Sequence, residues 1–490
     1  MSNLAEIRQR NLKSQKVFDY FEELAAIPHG SGNTRAISDY LADFAKKKGL
    51  EHYQDALNNI VMIAEATPGY EAATPVILQG HMDMVCEKES GCDIDFEKDG
   101  LRLLVDGDFL TADGTTLGGD DGIAVAYALA ILDSPEIAHP RLEIVITVDE
   151  ETGMDGAEGI DLSMLKGHTL LNLDSDEEGH FLTSCAGGVR VTTSIPVDYI
   201  TQRGLRAEVT VTGLNGGHSG SEIGKELANA NILMGRLLKY VADRMELGIA
   251  ALSGGNKDNA IPRESTAVLY IPAERKDVFA GALKELEEIL KKEFSGSDAG
   301  VCIRSSFGPE EEERILSYSA MSKVIFYLRT VPNGRLHMSQ MIPGLVETSL
   351  NLGILTLTED ALVSASSIRS SVSTRKADVA DRLTHLAELL GGATETRGDY
   401  PAWEYRADSP LRTKIGELYR MLFDEEPVFD AIHAGLECGL LSEKIPNLDC
   451  VSFGPDNFDI HTPRERLSIS STEKIWILLV EFLKSWKEET

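Results

Sequence analysis

Gly80-His81-Met82-Asp83, Gly119-Asp120-Asp121-Gly122, Asp149-Glu150-Glu151-Thr152-Gly153 and Asn172-Leu173-Asp174 place imidazole and carboxylate groups beside short apolar stretches, and His461 is a fifth candidate far downstream. Divalent metals of the zinc type take these ligands, and hydrolytic sites keep one position open for water. Together the segments read as one binuclear metal centre able to activate water. In extended chain His81 and Asp83 project to the same side. Asp83 can then accept from the imidazole and fix its tautomer. Asp120 and Asp121 could cap a helix and meet its dipole, or one of them could bridge two metals. Glu150 and Glu151 repel, so a compensating cation is expected if they are buried. One can bind metal while the other takes a proton from water; the bland alternative is an exposed acidic turn. Asp174 stands before Ser175-Asp176-Glu177-Glu178, and only the strand end preceding it favours it over these neighbours.

The elements that must position these groups follow from periodicity. Val17, Phe18, Phe21, Leu24 and Ala25 share one face of a helix over residues 14–26. A second helix runs to about residue 48, capped by Asn33 or Thr34. Strands are predicted at 60–64, 76–79, 142–148 and 170–173, with a buried helix over 123–132. This alternation implies an α/β domain with a mainly parallel sheet. In such sheets ligands bind beyond the carboxyl ends of the strands, where His81, Glu150, Glu151 and Asp174 fall.

After Cys185-Ala186-Gly187-Gly188 the pattern changes. Amphipathic helices are predicted at 227–246, 276–293, 321–328 and 377–390, with strands at 207–211, 266–271, 348–355 and 362–366. Residues 398–403 read as a return linker, and the last 90 or so resume α/β character, ending in a helix over 471–487. If His461 joins the site, residues 1–186 and 398–490 form one discontinuous domain, with 187–397 inserted as a large α+β domain.

A chain of 490 residues predicts two or three domains. The net charge of −32, from 47 basic and 79 acidic residues, argues against nucleic acid or anionic membrane as partners. The six cysteines are scattered without a CxxC pattern, as in reduced cytosolic thiols. The N-terminal stretch lacks an apolar signal-like core, and no apolar run of about 18 residues exists to span a bilayer. The expected address is the cytoplasm.

Other motifs are weaker alone. Gly216-Gly217-His218-Ser219-Gly220 is not a phosphate loop, since no GK[ST] follows. Asn259-Ala260-Ile261-Pro262-Arg263 and Ile368-Arg369-Ser370-Ser371 read as a loop and a strand end, and His433-Ala434-Gly435-Leu436-Glu437-Cys438-Gly439 reads as structural.

In order and spacing the four acidic and histidine segments resemble the two-zinc exopeptidase family that includes aminoacylases, glutamate carboxypeptidases and di- and tripeptidases. The segments at 215–220, 259–264, 433–439 and 451–455, with His461, resemble its aminoacyl-histidine dipeptidase branch. The resemblance covers nearly the whole chain. It implies two divalent ions, expected to be Zn(2+), with Co(2+) or Mn(2+) as substitutes. His81, Asp120 and Asp174 would hold one ion; Asp120, Glu151 and His461 would hold the other, with Asp120 bridging. Glu150 would be the general base and Asp83 would orient His81. His218, on an inserted lid, would stabilise the oxyanion, with Asn259 and Arg369 as substrate contacts. The inserted segment is about twice the usual lid of the family, which puts the usual lid-mediated dimer in doubt; the expected assembly is still a homodimer. The implied activity is hydrolysis of dipeptides with a free amino terminus, including aminoacyl-histidine types. The rivals are an N-acyl amino acid deacylase or carboxypeptidase of the same family, and a non-catalytic metal or peptide binding protein on this scaffold.

Overall fold

The computed structural model describes residues 4–487. It divides into two compact units. The first runs to Ser184 and returns for Tyr405–Ala431 and from Leu436 onward; the second comprises Cys185–Glu404 and Ile432–Gly435.

The first unit is built on an eight-stranded sheet. Its centre is parallel: Val76–His81 lies between Leu142–Thr147 and Thr169–Asn172, and Asp449–Ser452 pairs with the far side of Thr169–Asn172. These strands are buried on both faces, so their apolar residues are not confined to alternate positions. Antiparallel strands flank the centre, Ile60–Ala64 beside Leu142–Thr147 and Glu51–Gln54 outside it. The helix Gly119–Leu132 is apolar on nearly every side and almost wholly buried. It packs with Gln15–Ala25, whose Val17, Phe18, Phe21, Leu24 and Ala25 face the core as the periodicity predicts. Ile469–Ser485 closes the unit with Ile475, Leu478, Leu479 and Phe482 in the same core.

The second unit holds a nine-stranded antiparallel sheet. The helices Ala230–Ala242, Lys276–Glu293, Tyr318–Thr330 and Ser373–Leu389 share its apolar core. One reading of the sequence needs correction. Residues 398–403, taken as a linker, overlap the strand Ala393–Tyr400, which pairs with Gly187–Pro196. The register shifts between Arg397 and Tyr400, and Gly398 sits there with a positive φ of 57°. Gly398 serves this irregularity of the ladder rather than a linker.

Candidate metal centre

The strand order brings the acidic segments to one edge of the first unit. His81 ends one central strand, Asp149-Glu150-Glu151 follows the next and Asp174 the third. Asp120 and Asp121 enter before the regular part of the Gly119–Leu132 helix, both with non-helical backbone. They make no cap there: Asp121 Oδ2 instead accepts from the backbone N–H of His81 at 3.2 Å. The final ligand candidate, His461, arrives from a loop with a left-handed backbone, φ 60°.

Asp120 sits at the middle. Its Oδ1 lies 3.2 Å from His81 Nε2 and its Oδ2 lies 3.1 Å from His461 Nε2. Asp174 Oδ1 is 3.7 Å from the same His81 nitrogen, and Glu151 Oε2 is 3.0 Å from the same His461 nitrogen. Two pairs of side chains therefore share one carboxylate: His81 with Asp174 on one side, His461 with Glu151 on the other. His81 with Asp121 and Asp174, and His81 with Asp120 and Glu151, each converge closely enough to hold one ion. His81 Nδ1 donates to the Asp83 carbonyl at 3.0 Å, with Asp83 Oδ1 at 3.4 Å. That leaves Nε2 to face the acids. Asp83 is itself held, accepting from Ser31 Oγ at 2.8 Å and from the Glu150 N–H at 3.2 Å.

The electrostatics fit divalent cations. Burial raises Asp174 to about 6 against the pull of His81, and raises Glu150 to about 9, with Asp174 and Glu151 adding repulsion. Asp121 is raised well above its ordinary value by burial and by Asp174. Burial would lower His81, but Asp120, Asp174 and Asp83 outweigh it and hold the imidazole well above its ordinary value. Hydrogen bonds to Asp120 and Glu151 lift His461 to about 10. Asp120 goes down, because His461 and His81 overcome its burial. Among the described residues no lysine or arginine pairs with these acids, and Glu151 Oε1 is buried without a hydrogen-bond partner. Clustered anions with only two imidazoles against them call for cation charge, which would reverse the upward carboxylate shifts.

Two buried acids near this edge have no role in the sequence reading, although Glu437 lies in a segment read as structural. Glu465 accepts backbone N–H groups from the loop that carries Asp120. Glu437 accepts from Gln79 Nε2 and Thr147 Oγ1, both at 2.6 Å, while Gln79 Oε1 takes a bond from Asn172 at 2.6 Å. No spacing rule marks either: Glu437 stands in a glycine-containing segment, and Glu465 stands between two arginines as a surface glutamate would.

His218, Asn259 and Arg369 lie in the second unit. His218 Nδ1 accepts from the N–H groups of Gly220 and Ser221 at 3.3 Å, so Nε2 carries the proton. Burial, then Arg369, lowers this imidazole and keeps it neutral. His218 pairs with Ala260 in the two-stranded ladder beside Asn259, and the Asn259 carbonyl accepts from Ser219. Arg369 Nη1 donates to Tyr400 Oη at 3.1 Å, and its buried Nε has no hydrogen-bond partner. His433, read as structural, belongs to this unit too, with Nε2 2.7 Å from Ser349 Oγ.

Residues 77–485 match peptidase family M20/M25/M40, and the chain belongs to that family. It is similar to the cytosol non-specific dipeptidase of Escherichia coli (strain K12), 37% identical over 98% of this chain and 99% of the relative. Its fold follows the crystal structure of the aminoacylhistidine dipeptidase from Vibrio alginolyticus, with a TM-score of 0.93, 36% identity and 98% of each chain covered. A tripeptidase from Staphylococcus aureus, 17% identical and covering 97% of this chain and 99% of its own, shares the fold with a TM-score of 0.54. Among the described residues no helix is long and apolar enough to cross a membrane.

Proposed function

We propose that this chain is a two-metal dipeptidase acting on dipeptides with a free amino terminus, aminoacyl-histidine types among them. The observation that carries the reading is the Asp120 carboxylate, with one oxygen toward His81 and the other toward His461. High identity over nearly full length to two proteins named as dipeptidases supports the substrate class. His81, Asp120 and Asp174 would hold one ion, and Asp120, Glu151 and His461 the other, with zinc as the expected metal and cobalt or manganese as substitutes. Bound there, the ions supply Lewis acidity toward the scissile carbonyl, a lowered pKa for water, and the positive charge that returns buried carboxylates to their ionised form.

Glu150 takes the proton of the attacking water and passes it to the leaving amine. Asp83 acts on His81, fixing its tautomer. His218, a neutral imidazole with its proton on Nε2, donates to the developing oxyanion. Arg369 offers its guanidinium to the substrate carboxylate, with Asn259 beside the peptide backbone. A homodimer in the cytoplasm completes the proposal. Incubating the purified protein with dipeptides, their N-acetylated forms and longer peptides tests the reading. Free dipeptides are expected to be cleaved best. Preference for N-acetylated substrates would mark a deacylase or carboxypeptidase instead.

A further inference from the structure

Glu465 is 2% exposed and takes no part in the chemistry above. Its Oε2 accepts the N–H groups of Leu117 at 2.7 Å and Gly118 at 3.1 Å. Its Oε1 accepts those of Gly119 at 2.8 Å and Asp120 at 3.3 Å, together with Asn457 Nδ2 at 3.1 Å. Every partner of this carboxylate is an N–H donor. The backbone donors are four consecutive groups at the entry to a helix, where no intrahelical carbonyl can serve them. The approach is tight. A Cβ on Gly119 would stand 2.8 Å from Asn457 Nδ2 and 3.1 Å from Glu465 Oε1.

Glu465 also belongs to the segment that delivers His461. The Glu465 N–H donates to Thr462 O at 3.1 Å, and its carbonyl accepts from Thr111 Oγ1 at 2.8 Å. The next residues, Arg466–Ser468, pair with the strand carrying Thr111. Burial fixes His461 only in part, since its side chain is 46% exposed. His81 and Asp174, by contrast, end or follow central strands of the sheet. One carboxylate therefore ties the loop bearing Asp120 to the loop bearing His461.

We infer that Glu465 is a positioning residue that sets the separation of Asp120 and His461, and so the affinity of the ion shared by Asp120, Glu151 and His461. The inference rests on the two-ion reading of the site. A carboxamide at this position would turn an NH2 group against N–H donors. Outer contacts of this kind typically alter metal affinity about 10–100-fold.

The test is equilibrium binding of Zn(2+) to chelator-stripped protein against a competing chelator, for the wild type, Glu465→Gln, Asn457→Ala and His461→Ala, with the Tm of each apo-protein. The wild type should bind two ions. Glu465→Gln should weaken one of them about 10–100-fold, the same ion that His461→Ala loses, and leave the other near its wild-type affinity. Asn457→Ala should shift that ion in the same direction by less, and it decides the matter if Glu465→Gln does not fold. Wild-type affinity for both ions in folded Glu465→Gln, or equal weakening of both, would overturn the assignment, as would wild-type binding by Asn457→Ala where it has to decide. A wild type that binds fewer than two ions would overturn the two-ion reading itself, whatever the variants do.

Discussion

Asp120 Oδ2 and His461 Nε2 stand 3.1 Å apart, although 341 residues separate them in the chain. The contact closes the first unit on itself, because one partner precedes the second unit and the other follows it. Asp120 meanwhile keeps its other oxygen on His81. A carboxylate so divided is the part of the site hardest to explain as surface acidity.

The adjacent glutamates are expected to separate in role. Glu150→Gln should lower turnover by about 10²–10⁴-fold, since a carboxamide cannot take the proton, while metal content stays at the wild-type level. Glu151→Gln should reduce metal content, because its Oε2 faces His461 and its Oε1 is buried without a partner. Metal analysis beside steady-state kinetics checks both. Equal metal loss in the two variants would contradict the division.

His218→Ala should reduce kcat by about 10²–10³-fold with a smaller effect on KM, the signature of a donor that acts near the transition state. The two backbone N–H groups on Nδ1 fix the tautomer this role requires. A near-normal kcat would reduce the loop to a structural turn.

Arg369→Ala should raise KM for dipeptides and narrow the gap between dipeptides and their C-terminal amides. A tripeptide displaces its carboxylate by roughly 3.3–3.6 Å and should be a poor substrate for the wild type. Equal wild-type rates on dipeptides, their amides and tripeptides would remove the carboxylate clamp and widen the specificity to that of an aminopeptidase.

Legibility in the sequence followed local physics. The strands at 76–81, 142–147 and 169–172 and the helix from residue 123 onward were readable because doubly buried strands and buried helices are mostly apolar; the strand Asp449–Ser452, half of it polar, was not. The ends of those strands located His81 and Asp174, while the second unit begins at Cys185 and also takes in Ile432–Gly435, which no change of pattern marks. What could not be read was long-range pairing. Glu465 and Glu437 act through partners about 350 residues away, and the strand Ala393–Tyr400 is polar and largely exposed, so its bulge glycine resembled a linker.

Glu437 gives the account a pH signature. Burial pushes it up to about 8 from 4.5, with His81 and Thr147 pulling the other way. The folded protein then holds a proton that the unfolded chain releases. Its contribution to stability is therefore complete below about 4.5 and is lost as pH rises towards 8. Glu437→Gln should shrink the fall in apo-protein Tm between pH 5 and pH 8, read by calorimetry. An unchanged fall would show that Glu437 is ionised in the folded protein.

The bridging carboxylate is tested most directly by adding Zn(2+) in steps to chelator-stripped protein while bound metal and dipeptide hydrolysis are followed together. Activity should reach its plateau at two ions per chain, and Asp120→Asn should weaken both. Full activity at one ion per chain, or an Asp120→Asn variant that keeps both ions at wild-type affinity, would contradict a site built around Asp120.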